Sequence, residues 1–189
     1  MILKNNNPYK GASFSFKNRL LRLIWAIAYL FLFKLSPRPL HSWRAFLLRV
    51  FGAKIGKSCH IYPGVQIWAP WNLVIGNYVG IADKVILYSM DKINIGNFVT
   101  ISDGAHLCCG THDYNSKNFQ LVSKPIIIKS RVWICSGAFI HPGIEIPEGA
   151  VVGARSVVTK SLFPGWTVFS GNPCKKISIR KKISGKFFN

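Results

Sequence analysis

The sequence predicts an all-β fold: a parallel β-helix wound from six-residue repeats, with an N-terminal helical appendage and a short C-terminal tail. Two observations carry that reading. Aliphatic residues recur at six-residue steps as Ile55, Ile61 and Ile67, then Ile75, Ile81 and Leu87, then Ile95, Ile101 and Leu107. The series resumes at Ile128, Ile134, Ile140, Ile146, Val152 and Val158. In addition, Ile75-Gly-Asn-Tyr-Val-Gly-Ile-Ala-Asp83 and Ile95-Gly-Asn-Phe-Val-Thr-Ile-Ser-Asp103 are near copies twenty residues apart. A period of six matches neither a helix nor a flat strand. It matches a short strand plus a corner, three to a coil, with one aliphatic per side facing inward and coils about 4.8 Å apart. An ordinary sandwich would instead show alternation and turn signals every 8–12 residues or so.

Each segment can then be placed in order. Residues 1–54 form a basic segment whose first eighteen residues are polar and loosely held, followed by helices over about 19–34 and 40–51. In the first, residues 23–33 (LIWAIAYLFLF) are apolar on every side but closed by Arg22 and Lys34. A bilayer span needs roughly 20 such residues, and no small-residue cleavage site follows as in a signal peptide. Two readings stand for this helix: buried in the protein, or lying in a membrane interface. In the second, Leu40, Trp43, Phe46, Leu47 and Val50 fall on one stripe, which predicts the buried face. The β-helix occupies 55–170, with corner bulges at Trp71-Asn72 and Asp91-Lys92. Between Leu107 and Ile128 the ladder steps by 21 residues, so residues 111–124 leave the coil as a loop. Residues 171–189 are a basic tail whose Ile177, Ile179 and Ile183 suit packing on the coil's flank.

Composition narrows the function. At 49% hydrophobic the chain is not disordered. Cys59, Cys108, Cys109, Cys135 and Cys174 are odd in number and irregularly spaced; they predict reduced thiols in a cytoplasmic protein. The net charge of +19 is concentrated at the ends: residues 1–57 carry eleven Lys or Arg and residues 175–189 six, neither with an acid. Such ends suit an anionic surface, either lipid headgroups on the inner face of the plasma membrane or a pyrophosphate-linked substrate. Nucleic acid is disfavoured, because the C-terminal basic run is interleaved with only Phe187 and Phe188.

Several segments resemble the hexapeptide-repeat acyltransferases, within them the acetyltransferases of colanic acid biosynthesis that modify exopolysaccharide sugars. They are Leu47–Gly56, Ala69-Pro-Trp-Asn72, Leu107-Cys-Cys-Gly-Thr-His-Asp-Tyr114, Gly153-Ala-Arg-Ser-Val-Val-Thr-Lys160 and Gly171-Asn-Pro-Cys-Lys175. The resemblance covers roughly residues 14–182. It implies a left-handed coil, contrary to the usual crossover rule, a homotrimer, and acetyl-CoA as co-substrate. His112 stands where the repeat breaks, and histidine alone has an unperturbed pKa near neutrality; the family places its catalytic base there. Asp113 is the candidate to orient it. The resemblance further implies acetyl-CoA contacts at Trp133, Ser136, Ala154, Thr159, Lys160 and Lys175. Relatives often carry an acceptor-binding Asn on the coil before the base. Leu87-Tyr-Ser-Met-Asp91 has none, which leaves Tyr88, Ser89 and Asp91, with Tyr114, as candidates to meet the acceptor. No metal site is predicted, since His106 and His112 fall on successive faces while His60 and His141 lie coils away. The function so implied is O-acetylation of a sugar or lipid-linked oligosaccharide; an amino-sugar N-acetyltransferase and a non-catalytic binding protein are the alternatives.

Overall fold

The computed structural model describes residue 2 and residues 8–182, so Ile183 and the final aromatics lie outside the described residues, as does most of the polar stretch 1–7. From Lys54 onward short strands stack on three faces. The first face carries Lys54–Ile55, Leu73–Ile75, Ile93–Ile95, Ile126–Ile128 and Glu145–Ile146. The second carries His60–Ile61, Gly80–Ile81, Thr100–Ile101, Trp133–Ile134, Val151–Val152 and Thr167–Ser170. The third carries Gln66–Ile67, Ile86–Tyr88, His106–Cys108, Phe139–Ile140 and Val157–Val158. Neighbouring coils pair in parallel, with ladder aliphatics in register: Ile55 faces Ile75, Ile75 faces Ile95, and Ile95 faces Ile128 across the loop. Every ladder residue from Ile61 to Val158 is buried. Burying such a side chain is worth roughly 1.5–3 kcal/mol, so the six-residue rhythm is the core itself.

The corner between the first and second faces explains the Gly-Asn repeat. Asn77 accepts a hydrogen bond from the Lys57 amide at 2.8 Å, Asn97 from the Asn77 amide at 2.8 Å, and Ser130 from the Asn97 amide at 3.1 Å. Coils approach so closely there that a Cβ on Gly76 would lie 2.5 Å from Asn97 Oδ1 and 2.8 Å from the Gly96 carbonyl carbon. Only glycine fits under that ladder.

α1 spans Phe16–Ala28 and continues as a π-helical turn over Tyr29–Lys34. It begins three residues before the expected start because the Ser15 hydroxyl caps it, accepting from the Asn18 amide at 3.3 Å. Only a narrow stripe is seated: Trp25 and Phe33 are buried, and Trp25 Nε1 donates to the Ile67 carbonyl at 2.8 Å. Arg22 lies over the Phe14 and Trp68 rings. α2 spans His41–Val50 and touches strands of the first coil on two faces and the turn at Pro70–Asn72, so it covers the coil's open end.

The α2 stripe is corrected. Its buried residues are Arg44, Ala45, Leu47 and Leu48, while Leu40, Trp43, Phe46 and Val50 are exposed. Arg44 decides the rotation. Its guanidinium is buried, donating to the Ile61 carbonyl at 2.6 Å, the Ser36 hydroxyl at 2.8 Å and the Pro37 and Arg38 carbonyls at 2.9 and 2.6 Å. A cation with that many acceptors tolerates a place that its hydropathy denies. At the other end, Lys175–Ile179 turns back antiparallel on Thr167–Ser170 and borders the second face. Ile177 and Ile179 are exposed on this strand, not packed on the flank.

Candidate active site

The excursion in the ladder is an ordered hairpin, not an irregular loop. Gly110–His112 pairs antiparallel with Leu121–Ser123, and the Lys124 amide donates to the Cys109 carbonyl at 3.0 Å to close its base. At the tip the Asp113 carboxylate accepts from the Asn115 amide at 3.1 Å, and its carbonyl accepts from the Ser116 hydroxyl at 3.0 Å. The hairpin leaves the corner between the third and first faces, the position occupied by Asp91 one coil earlier and by Thr159 and Lys160 on the last coil.

His112 sits opposite Leu121 in the register. Its Nδ1 is 2.8 Å from the Phe119 carbonyl, and its ring stacks on the Phe119 ring with centroids 4.4 Å apart and planes 11° from parallel. A carbonyl can only accept, so Nδ1 carries the proton and donates. In the neutral imidazole Nε2 then keeps its lone pair, the form a general base requires. Phe119 itself holds a left-handed φ of 46°, as bulky residues at coil corners such as Tyr78 and Phe98 also do. The group that holds the ring is therefore Phe119, which the sequence reading passed over; it is one of two aromatics, with Tyr114, in the excursion, and nothing in the sequence singles it out. Asp113 is corrected in this respect, since its carboxylate shapes the turn.

The hairpin walls a cleft of about 770 Å³ whose lining includes Trp71, Asn72, Asp91, Gln120, Leu121 and Ser123. Asp91 accepts from the Lys92 amide at 2.7 Å and from the Ser123 hydroxyl at 3.2 Å, which tie it to the hairpin. Ser89 is corrected as an acceptor contact: it is fully buried, its hydroxyl donating to the Ala69 carbonyl at 2.9 Å and accepting from the Ala69 amide at 3.0 Å. Tyr88 lies half-buried among aromatics, its ring 5.9 Å from Trp68 and 6.4 Å from His106, and burial raises its hydroxyl pKa. Tyr114 stands at the hairpin tip, 80% exposed.

The residues expected to meet acetyl-CoA divide. Thr159 and Lys160 share the hairpin's corner. Trp133 lies on the second face, its indole donating to the Ser102 hydroxyl one coil earlier at 2.9 Å. Ser136 and Ala154 follow that face on successive coils, where the Arg155 amide donates to the Ser136 carbonyl at 2.9 Å. Lys175 is exposed opposite Ser170. The third face separates the two groups, so a single chain does not bring Trp133, Ser136 and Ala154 to His112.

Other reactive side chains stand down. All five cysteines are free thiols whose pKa burial raises, Cys109 to about 12, so none is a ready thiolate. His106 is wedged beside Tyr88 and Phe139, and desolvation lowers its pKa. Among the described residues no three His, Cys, Asp or Glu side chains gather as metal ligands.

A coil of six-residue rungs that releases one hairpin, with an oriented imidazole on it, defines the hexapeptide-repeat acyltransferase architecture. Relatives give the particular family. WcaF of Escherichia coli, named for an acetyltransferase of colanic acid biosynthesis, is 44% identical over 163 residues, covering 86% of this chain and 87% of its own. The galactoside O-acetyltransferase of Escherichia coli is 33% identical, covering 71% and 67%. No family model matches. Among solved structures, a maltose O-acetyltransferase from Clostridium difficile 630 superposes with TM-score 0.76 at 26% identity, covering 89% of this chain and 90% of that one. A hexapeptide-repeat acetyltransferase from Vibrio cholerae, solved with acetyl-CoA, gives 0.81 at 24% identity, covering 89% and 91%. These neighbours are left-handed coils; mirror images do not superpose, so this chain winds the same way. The chain belongs to the hexapeptide-repeat acetyltransferases, in the branch of the colanic acid biosynthesis enzymes.

Proposed function

We propose that the protein is an O-acetyltransferase that moves an acetyl group from acetyl-CoA to a sugar hydroxyl in exopolysaccharide biosynthesis, with His112 as general base and no covalent intermediate. One observation carries it: the Phe119 carbonyl holds the His112 ring through Nδ1, which in the neutral imidazole leaves Nε2 as the acceptor, on a hairpin whose opposite strand, Leu121–Ser123, walls a cleft of about 770 Å³. Nε2 takes the proton of the acceptor hydroxyl as its oxygen attacks the thioester carbonyl. Backbone N–H groups steady the resulting oxyanion. Collapse expels the coenzyme thiolate, which recovers the proton from the imidazolium. Cys109 at about 12 and the raised Cys108 support direct transfer, because an acyl relay needs a thiolate.

Asp91 and the hairpin wall offer polar groups to the acceptor, a sugar that stands in an exopolysaccharide unit, free or on its lipid pyrophosphate. Trp133, Ser136 and Ala154 on one copy, with Thr159 and Lys160 on a second, would flank the coenzyme. The separation of those groups across the third face supports a trimer with the site between subunits. Steady-state kinetics of His112→Ala with acetyl-CoA and sugar acceptors tests the base: kcat falls about 10²- to 10⁴-fold, and turnover near wild type refutes the assignment. An ester product is lost in mild alkali; a product that survives would be an amide and would move the reading to N-acetylation.

A further inference from the structure

The two N-terminal helices leave an apolar face that no other element among the described residues covers. α1 is seated through Trp25 and Phe33, and its far side presents Leu20, Leu23, Ile24, Ile27 and Phe31, 46–62% exposed. α2 extends this surface, because Trp43 Nε1 donates to the Leu32 carbonyl at 2.9 Å and the Trp43 and Phe46 rings pack 5.9 Å apart, both exposed. A contiguous apolar patch that outgrows the scattered leucines of a soluble surface marks an interaction site. Exposed Lys17 and Arg19 stand at one end of α1, with Lys34 and Arg38 beyond the other.

We infer that this face docks on an anionic lipid surface, with both helices lying in the headgroup plane. The charge decides between occupants. Residues 1–57 hold eleven Lys or Arg and no acid, while all six acidic residues of the chain fall between positions 83 and 148. Two copies of this face pressed together would meet cation on cation; a sheet of anionic headgroups complements both the cations at the ends of the helix and the apolar centre. Four of the cations are used within the fold, Arg22 over Phe14 and Trp68, Arg44 among carbonyls, Arg49 donating to the Ile55 carbonyl at 3.0 Å, and Arg38 over the Tyr62 ring and 3.8 Å from the Asp83 carboxylate. Lys10, Lys17, Arg19, Lys34, Lys54 and Lys57 are exposed. Among the described residues no helix is long and apolar enough to cross a membrane, which fits a helix that lies in the interface. No α1 residue and none of these cations lines the cleft beside the hairpin, so the two readings are tested separately.

The test is sedimentation of the full chain with vesicles of phosphatidylcholine alone, and of phosphatidylcholine with about 30% phosphatidylglycerol, at low and high salt. Binding to the anionic vesicles at least about tenfold tighter than to the neutral ones, weakening as salt rises, is the expected result. Ile24→Ser/Ile27→Ser/Phe31→Ser should lose that binding while keeping wild-type acetyl transfer to a soluble acceptor. Should that variant fold poorly, a blue shift of wild-type tryptophan emission on anionic vesicles, from exposed Trp43, gives the same answer. No binding to anionic vesicles overturns the proposal. So does a wild-type assembly by light scattering that is larger than the triple variant's, since a second copy would then cover the face.

Discussion

At the scale of single residues the proposed chemistry turns on how one imidazole is held. His112 was legible because the ladder breaks around it. Phe119 was not, because which carbonyl reaches Nδ1 depends on the hairpin's antiparallel register, and a skipped repeat does not reveal that register. Phe119→Ala removes the stacked ring and frees the carbonyl to drift; kcat should fall about 10- to 100-fold with KM for acetyl-CoA little changed, measured by steady-state kinetics. Asp113→Asn should leave kcat close to wild type, since that carboxylate serves the Asn115 amide at the turn; a loss comparable to His112→Ala would restore it as the orienting group. Ser89 misled because a hydroxyl in a corner reads as solvent-facing, whereas here both its hydrogen bonds go inward to Ala69.

At the scale of elements, the coil was legible almost entirely and the helices only in part. A six-residue period leaves each aliphatic one place to point, so the inward set is dictated by sequence. Ile101, fully buried between coils, should cost about 2–5 kcal/mol as Ile101→Ala, read from chemical unfolding. Gly76→Ala should destabilise by about 1–3 kcal/mol, because its Cβ meets the next coil's backbone; a variant as stable as wild type would deny the close approach. The helices defeated the stripe rule for a physical reason. α2 buries an arginine with four polar acceptors, so counting apolar residues pointed to the wrong side. A helix that also carries an apolar outer face offers two stripes, and hydropathy alone does not rank them.

At the scale of the whole molecule, an outer column of rings on the third face, Trp68, Tyr88, His106 and Phe139, separates the two groups of predicted coenzyme contacts. His106 is held neutral there. Its folded pKa is depressed below the ordinary 6.5, so on acidification the unfolded chain takes up a proton that the folded one refuses. Stability is therefore present above about pH 6.5 and declines as pH falls through the folded value. His106→Phe should flatten that decline in thermal unfolding between neutral and mildly acid pH.

The chain's net charge of +19 is carried almost wholly by its two ends, which leaves the coil nearly neutral for subunit contact. The central claim is that an imidazole oriented by Phe119 works in a site completed by another copy. It is tested by mixing two variants, His112→Ala and Ala154→Trp, under conditions that exchange subunits, and measuring acetyl transfer. Each alone should be inactive, and the equal mixture should recover about a quarter of wild-type activity, the share of contacts that pair an intact His112 with an intact Ala154. A mixture as inactive as its parents would contradict the account, as would a His112→Ala protein active on its own.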